Sequence, residues 1–257
     1  MLSCRIIACL DVKDGVVVKG TRFRGHTVVG EILDLSRRYR DEGVDELVFY
    51  DITASAEARR VSRRWVEDVA RVINVPFCVA GGIRSVEDAR DVLHAGADKV
   101  SINTPALENP SLVSDLADAF GTQCVVVGVD SMRRDGDFFA YSHTGSETKM
   151  KEAGRRTLEW IALAERRGAG EIVLNCMNQD GTGDGYDLEQ LARAREVLSI
   201  PLVASGGAKT VEHFERVFKE CHVDAALAAG VFHRRELAIP DLKAALSASG
   251  ILVRTWS

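Results

Sequence analysis

The phrase VAGGIRSVEDA, Val79 to Ala89, is echoed by VASGGAKTVEHF, Val203 to Phe214, with Gly206-Gly207 standing 125 positions after Gly81-Gly82. The echo extends well beyond the glycines. GVDELVF from Gly43 matches GAGEIVL from Gly168, and Val75-Pro76 matches Ile200-Pro201, at the same offset. GADKVSIN aligns with HVDAALAAG one position further on. The opening IIACLDVKDG answers CVVVGVDSMRRDG, which sets Asp11 opposite Asp130. Self-similarity at this period constrains the fold before any local signal does. It implies two similar halves, about 1–123 and 124–257, within one domain.

Each half carries four short apolar runs separated by amphipathic stretches. The runs are RIIACLDV, ELVFYDI, PFCVAGG, KVSINT, CVVVGVD, EIVLNCMN, PLVASGG and AALAAGVF. They are continuous rather than alternating, the pattern of parallel strands buried on both faces. Helical segments such as WVEDVARVI, TLEWIALAERRG and TVEHFERVFKEC lie between them. Ser85 with Asp88 reads as a good capping box, Thr210 with His213 as a weak one. Gly43, Gly96, Gly168 and Gly250 fall where helices should stop. Eight strand–helix units predict an α/β fold, a single (β/α)8 barrel over residues 1–257. A doubly wound open sheet is the rival, but the chain shows neither a dinucleotide fingerprint nor a domain break.

In such a barrel the strand C-terminal ends and the loops after them form the active face. There the chain places Asp11, Asp51, Gly81-Gly82, Asn103-Thr104, Asp130, Asn178 with Asp180, Ser205-Gly206-Gly207 and Ala229-Gly230. A lone glycine pair is a tight turn. Two pairs at equivalent places, each before a helix, suit two phosphate cradles, because backbone N–H groups there can approach an anion. One cradle spans the loops after strands three and four, the other those after strands seven and eight. The substrate would then carry a phosphate at each end. A single aspartate at a strand end usually caps a loop or pairs with a lysine. A symmetric pair, Asp11 and Asp130, suits acid–base work instead. Lys19 lies in a long glycine-bearing loop, Val12 to Gly30, that could close over substrate.

At the strand entrances stand Arg5, Glu46, Lys99 and Glu171. Pattern alone favours charges facing water where a strand begins over a closed ring. His26, His94, His143, His213, His222 and His233 show no ligand spacing and read as surface or loop residues. Trp65, Trp160 and Trp256 read as packing. The six cysteines include no CxxC pair, so buried core residues are expected, with Cys9, Cys78, Cys124 and Cys176 in strand-like runs. No His/Cys cluster has zinc spacing. A net charge of −5 argues against general nucleic-acid binding. No apolar run is long enough for a membrane helix, and the N-terminus turns charged too soon for a signal peptide, so a cytoplasmic location is expected.

RIIACLDVKDGVVVKG, DELVFYDITAS, AGGIRSVEDA, GADKVSINTPALENP, VVVGVD, RGAGEIVLNCMNQDGT, GYDLEQL and SGGAKTVEHF together resemble one family, from Met1 to about Arg254. It is the cyclase subunit of imidazole glycerol phosphate synthase, of histidine biosynthesis. The resemblance implies a heterodimer with a glutaminase subunit docked at the barrel bottom, which sends ammonia through the barrel. At the top the ammonia would react with a phosphoribulosyl formimino aminoimidazole carboxamide ribotide, phosphorylated at both ends. The products would be imidazole glycerol phosphate and an aminoimidazole carboxamide ribotide. It implies that no metal or organic cofactor is needed, that Asp11 and Asp130 are catalytic and that Lys19 contacts substrate. Phosphate binding would fall to Gly82, Asn103 and Thr104, and to Asp180, Gly181, Ser205, Gly206, Gly207, Ala229 and Gly230. Arg5, Glu46, Lys99 and Glu171 would form an ammonia gate, reversing the reading from pattern, and Asp98 would sit at the glutaminase interface.

The chain departs from that family at a few places. Ala8 replaces a proline, Lys209 the last glycine of SGGAG, and Gly230 a serine that usually holds phosphate. Asn175 replaces a threonine found in other branches, and Thr144 to Gly154 fits the pattern poorly. The sister half-barrel isomerase of the same pathway is the nearest alternative, but the CLDVKDG start and the charged bottom argue against it. A non-catalytic, cyclase-like partner of an amidotransferase is the other, and retention of both aspartates counts against it.

Overall fold

The computed structural model describes residues 3–21, 24–52, 59–145 and 148–255, with backbone alone for 19–21 and 24–26. The side chains of Lys19 and His26, and all of Trp256, lie outside the described residues. The chain opens with β1 (Arg5–Lys13), β2 (Val16–Thr21) and β3 (Arg24–Glu31), then the helix Ile32–Asp41. It continues with β4 (Glu46–Asp51), helix Arg63–Ala70, β5 (Phe77–Ala80), helix Val86–His94 and β6 (Lys99–Ile102). Helices Thr104–Glu108 and Ser111–Phe120 lead to β7 (Val125–Arg134), β8 (Asp137–Ser142), β9 (Lys151–Arg156) and helix Thr157–Arg166. The last part runs β10 (Glu171–Cys176), helix Leu188–Val197, β11 (Leu202–Ser205), helix Val211–Cys221 and β12 (Ala225–Ala228). The short helix Gly230–His233 and helix Ile239–Ala248 complete it.

Eight of these strands pair in parallel in the circular order β1, β4, β5, β6, β7, β10, β11, β12, and β12 returns to β1. This is the closed (β/α)8 barrel that the apolar runs predict. Strand residues alternate between two cores. Ile7, Cys9, Val48, Cys78, Val126, Val173, Val203 and Leu227 fill the interior. Ile6, Ala8, Leu10, Val12 and their counterparts pack outward against the helices. Both parities are therefore largely apolar between the strand ends, and the runs look continuous. The helices return the contact with one stripe each. Val211–Cys221 buries Phe214, Val217, Phe218 and Cys221, at helical spacing. Each fully buried residue of this size contributes about 1.5–3 kcal/mol.

Ser85 accepts a hydrogen bond from the Asp88 N–H at 3.1 Å, as a cap should. Thr210 makes no such bond. Trp65 and Trp160 are buried packing residues. Cys9, Cys78, Cys176 and Cys221 are buried, whereas Cys124 sits half-buried in a turn ahead of β7 rather than in the strand.

The repeated G-x-D phrases have one structural job. Gly43, Gly96 and His222 end helices with positive φ, and the aspartates two residues later clasp the neighbouring strand. Asp45, Asp98 and Asp224 each donate their N–H to the carbonyl of Ile6, Phe77 and Leu202 respectively. Each also accepts that same residue's N–H on its carboxylate, at 2.8, 2.9 and 2.9 Å. His222 thus takes a glycine's place in the left-handed region (φ 50°). Gly170 is the fourth member, and a Cβ there would lie 2.1 Å from the Thr122 carbonyl oxygen.

The loop expected over Val12–Gly30 is instead a hairpin extension, and β1 continues past Asp11 to Lys13. Likewise β7 continues past Asp130 to Arg134 and pairs antiparallel with β8. Each hairpin turns on an Asp-Gly pair with both φ positive, Asp14-Gly15 (49° and 84°) and Asp135-Gly136 (50° and 82°). Asp-Gly is the pair a two-residue primed turn demands.

Candidate active site

The C-terminal strand ends open into a cavity of about 700 Å³. β1 and β7 are diametrically opposed in the barrel, and so are β5 and β11, which carry the two glycine turns. Asp11 shares the inward parity of Ile7 and Cys9, and Asp130 that of Val126, so both carboxylates project into the mouth.

Asp130 is held from three sides. Asn103 Nδ2 donates to Oδ2 at 2.8 Å, Asn175 Nδ2 to Oδ1 at 2.8 Å, and the Thr144 hydroxyl to Oδ2. Burial pushes its carboxyl above the usual carboxylate range and Asp180 adds to the rise, against the lowering effect of these three donors.

Gly82, Asn103 and Thr104 line one wall of the cavity. Asp180, Gly181, Ser205, Gly206, Gly207, Ala229 and Gly230 line the other. Packing alone demands two of the glycines. A Cβ on Gly81 (φ +89°) would lie 2.4 Å from the Asp51 carbonyl oxygen, and one on Gly207 (φ +95°) 2.1 Å from that of Gly185. Among the described residues the N–H groups of Gly82, Gly206 and Gly207 donate to no protein atom. They are available to an anion. Asn178, by contrast, spends its Oδ1 on the Arg133 N–H at 2.8 Å and does not line the cavity. The backbone of Lys19 lies on β2 opposite Thr27.

Sequence reasoning gave no site role to Tyr50, Asn175, His143 or Thr144. Asn175 and Tyr50 occupy inward positions 125 residues apart, on β10 and β4, and both line the cavity. His143 is a loop residue, as expected, between β8 and β9. It sits in the cavity wall, donating its N–H to Thr104 Oγ1 at 2.8 Å and placing Nε2 3.1 Å from Glu108. Thr144 follows it directly. His213 is half-buried and its Nδ1 accepts the Lys209 N–H at 3.2 Å. His233 Nδ1 lies 2.6 Å from the Tyr39 hydroxyl.

At the other end of the tube the four charges do form a ring, contrary to the solvated arrangement that pattern favours. Arg5 lies 2.6 Å from both Glu46 and Glu171, and Lys99 lies 2.9 and 3.2 Å from the same two. All four stand at the first inward register of their strands, where a side chain meets its counterparts before it meets water. Burial works against the charge on Arg5 and Lys99, but the two carboxylates outweigh it and hold both cations above their usual range. Six residues separate Arg5 from Asp11, about 16 Å along the barrel axis at ~3.3 Å per residue and a tilt of about 36°. Most side chains between are apolar, and Ser101 on β6 is polar. Asp98 lies on the ring's face of the barrel, its side chain exposed beyond the Phe77 clasp.

Among the described residues no group of three or more metal-binding side chains occurs, and no helix is long and apolar enough to cross a membrane. A family model described as "Histidine biosynthesis protein" matches residues 5–238. The chain is 59% identical over 255 residues to the imidazole glycerol phosphate synthase subunit HisF of Xanthomonas campestris pv. campestris (strain 8004), covering 99% of each chain. The HisF subunits of Aeromonas hydrophila subsp. hydrophila and Klebsiella pneumoniae (strain 342) are 57% and 55% identical, each over 99% of this chain. A mouth with opposed aspartates and opposed glycine turns, on a chain similar to these proteins from end to end, belongs to the HisF family of imidazole glycerol phosphate synthase subunits.

Proposed function

We infer that this chain is the cyclase of an imidazole glycerol phosphate synthase. It joins ammonia to a phosphoribulosyl formimino aminoimidazole carboxamide ribotide and releases imidazole glycerol phosphate and an aminoimidazole carboxamide ribotide. One observation carries the reading: a single cavity holds Asp11 opposite Asp130 and Gly82 opposite Gly206-Gly207. Two anion grips at opposite rims suit a long molecule with a phosphate at each end, its middle lying between two carboxylates. Residues 1–123 and 124–257 each supply one grip and one carboxylate.

Addition of ammonia to a carbonyl needs a proton on oxygen, and ring closure with cleavage needs protons moved on and off nitrogen. Asp130, raised by burial, is suited to hold a proton, and its three donors fix the rotamer from which it gives one. Asp11 is the accepting partner. We assign substrate contact to Lys19, whose backbone lies on β2.

The partner is a glutaminase subunit seated against the ring, with Asp98 in the interface. The ring carries two charges of each sign, and the tube above it is lined by Ile7, Val48, Val126, Val173 and Val203. Neutral ammonia suits such a passage, whereas an ammonium ion would be desolvated there without a counter-charge. Opening requires the Arg5 or Lys99 bridges to part.

The test is direct. The purified chain, given ammonium salt at alkaline pH and the ribulosyl substrate, is expected to release the aminoimidazole product. Turnover of the aldose isomer instead, with no ammonia dependence, would reject the reading in favour of the pathway's isomerase.

A further inference from the structure

We propose that Arg234 binds substrate phosphate at the Gly206-Gly207 cradle, and that it reaches there because position 230 carries no side chain. The proposal rests on the phosphate reading of that cradle. Gly230 begins the helix Gly230–His233 and Arg234 follows as its C-cap, four residues on. Side chains on a helix point back toward its N-terminus, so the arginine folds over Gly230. A Cβ built on Gly230 would lie 2.7 Å from Arg234 Nη1, and 3.4 Å from Cζ and Nη2.

Two of the three guanidinium nitrogens are occupied. Nε and Nη2 bond to Glu236 at 2.7 and 3.1 Å. Nη1 donates to no protein atom among the described residues, and Arg234 lines the same cavity as Gly206, Gly207 and Ser205. Lys209 belongs to the same wall, its Cδ 3.1 Å from where a Cβ on Gly183 would sit. Glu236 is held below its usual range, first by its bond to Arg234 and in part by the charge of Lys209. Two cations thus flank the Glu236 carboxylate, and Nη1 of Arg234 is left with no protein acceptor on the wall that also carries Asp180 and the unpartnered N–H groups of Gly206 and Gly207. A guanidinium is a fork suited to phosphate oxygens. A serine at 230 would place its Cβ 2.7 Å from Nη1, so the guanidinium would have to leave this pose. The cradle therefore takes either a hydroxyl at 230 or the guanidinium of 234 in this pose, and this chain takes the guanidinium.

The experiment compares wild type, Arg234→Gln, Gly230→Ser and the double variant in the full-length chain. One readout is KM in the ammonia-dependent reaction, and the other is calorimetric binding of inorganic phosphate. Arg234→Gln is expected to weaken phosphate binding and raise KM by about tenfold or more, the effect of losing one charge-assisted bond. Gly230→Ser is expected to do likewise, and the double variant to be no worse than either single one, because the hydroxyl enters space the guanidinium left. Phosphate affinity and KM of Arg234→Gln within about twofold of wild type, or strictly additive losses, would overturn the proposal. The side chain of Arg234 is 58% exposed, so its replacement leaves the fold intact. Absence of turnover in the wild type would overturn the assigned reaction instead, while phosphate calorimetry still judges Arg234.

Discussion

Replacing Lys243 by methionine separates a structural charge from the chemistry of the mouth. Lys243 lies on helix Ile239–Ala248, and its Nζ donates to Asp45 Oδ1 and to the Gly43 carbonyl, both at 2.7 Å. The side chains of the pair are 4% and 3% exposed. Methionine fills the space of the stem but leaves a buried carboxylate without its counter-charge and a carbonyl without its donor. Breaking a buried pair from one side costs about 3–5 kcal/mol. Asp45 keeps the Ile6 N–H on its other oxygen, which places the expected loss near ~3 kcal/mol. For a chain of this size that is about 6–12 °C in Tm. Removing both charges, Asp45→Asn with Lys243→Met, should cost less than Lys243→Met alone, with a coupling of about 2 kcal/mol. The pH dependence has a definite sign. Burial lowers the Lys243 pKa, only partly offset by Asp45, so the folded chain sheds this proton first. Over that alkaline window the unfolded state binds more protons, and wild-type stability gains a rising term that Lys243→Met lacks. Thermal and urea unfolding at several pH values would measure all of this. A single variant within about 1 kcal/mol of wild type at neutral pH, or a double variant worse than the single, would refute the reasoning.

Two further outcomes are expected. Asp130→Asn should lower kcat/KM by about 10²–10⁴-fold. It should also match or exceed wild-type Tm at neutral pH, because a carboxyl with a raised folded-state pKa costs stability once ionised; differential scanning fluorimetry should show that advantage fading on acidification. Gly207→Ala should cost about 2 kcal/mol or more, since its Cβ meets the Gly185 carbonyl oxygen at 2.1 Å. Gly15→Ala, with an equally positive φ and nothing within 4 Å, should cost about 1 kcal/mol, and paired urea titrations would show the difference.

The barrel was legible because strands buried on both faces leave unbroken apolar runs, and because the runs recur with their glycines and aspartates at one offset. Asp11, Asp130 and the paired glycines were legible for the same reason: each is informative only beside its copy. The hairpins were not. Their signal, Asp14-Gly15 and Asp135-Gly136, was present, but β2 and β8 leave the barrel and break its period. Thr144 and His143 reach the mouth only because β8 folds back along β7, a contact no spacing announces. The charged ring was misread from pattern since a single strand does not reveal which parity faces inward. Once Ile7 and Val126 are known to face the interior, Arg5, Glu46, Lys99 and Glu171 follow. Arg234 was invisible without coordinates, because its position depends on what Gly230 lacks.

One register ties the two ends of the tube together. Arg5, Ile7, Cys9 and Asp11 share a parity on β1, as do Glu171, Val173 and Asn175 on β10 and Lys99 and Ser101 on β6, with Asn103 just beyond its end. A slip of one residue in any strand would turn floor charge, apolar lining and mouth group outward at once. The aspartate clasps guard against that slip. Asp45 fixes β4 against β1, Asp98 fixes β6 against β5, and Asp224 fixes β12 against β11, each by a reciprocal pair of bonds at the strand entrance. At β10 the clasp is replaced by the Gly170 N–H on the Val125 carbonyl at 2.9 Å, where a side chain would strike Thr122. Register is thus locked at the floor, so the N–H groups of Gly82, Gly206 and Gly207 at the mouth carry none of that duty and remain available to a ligand.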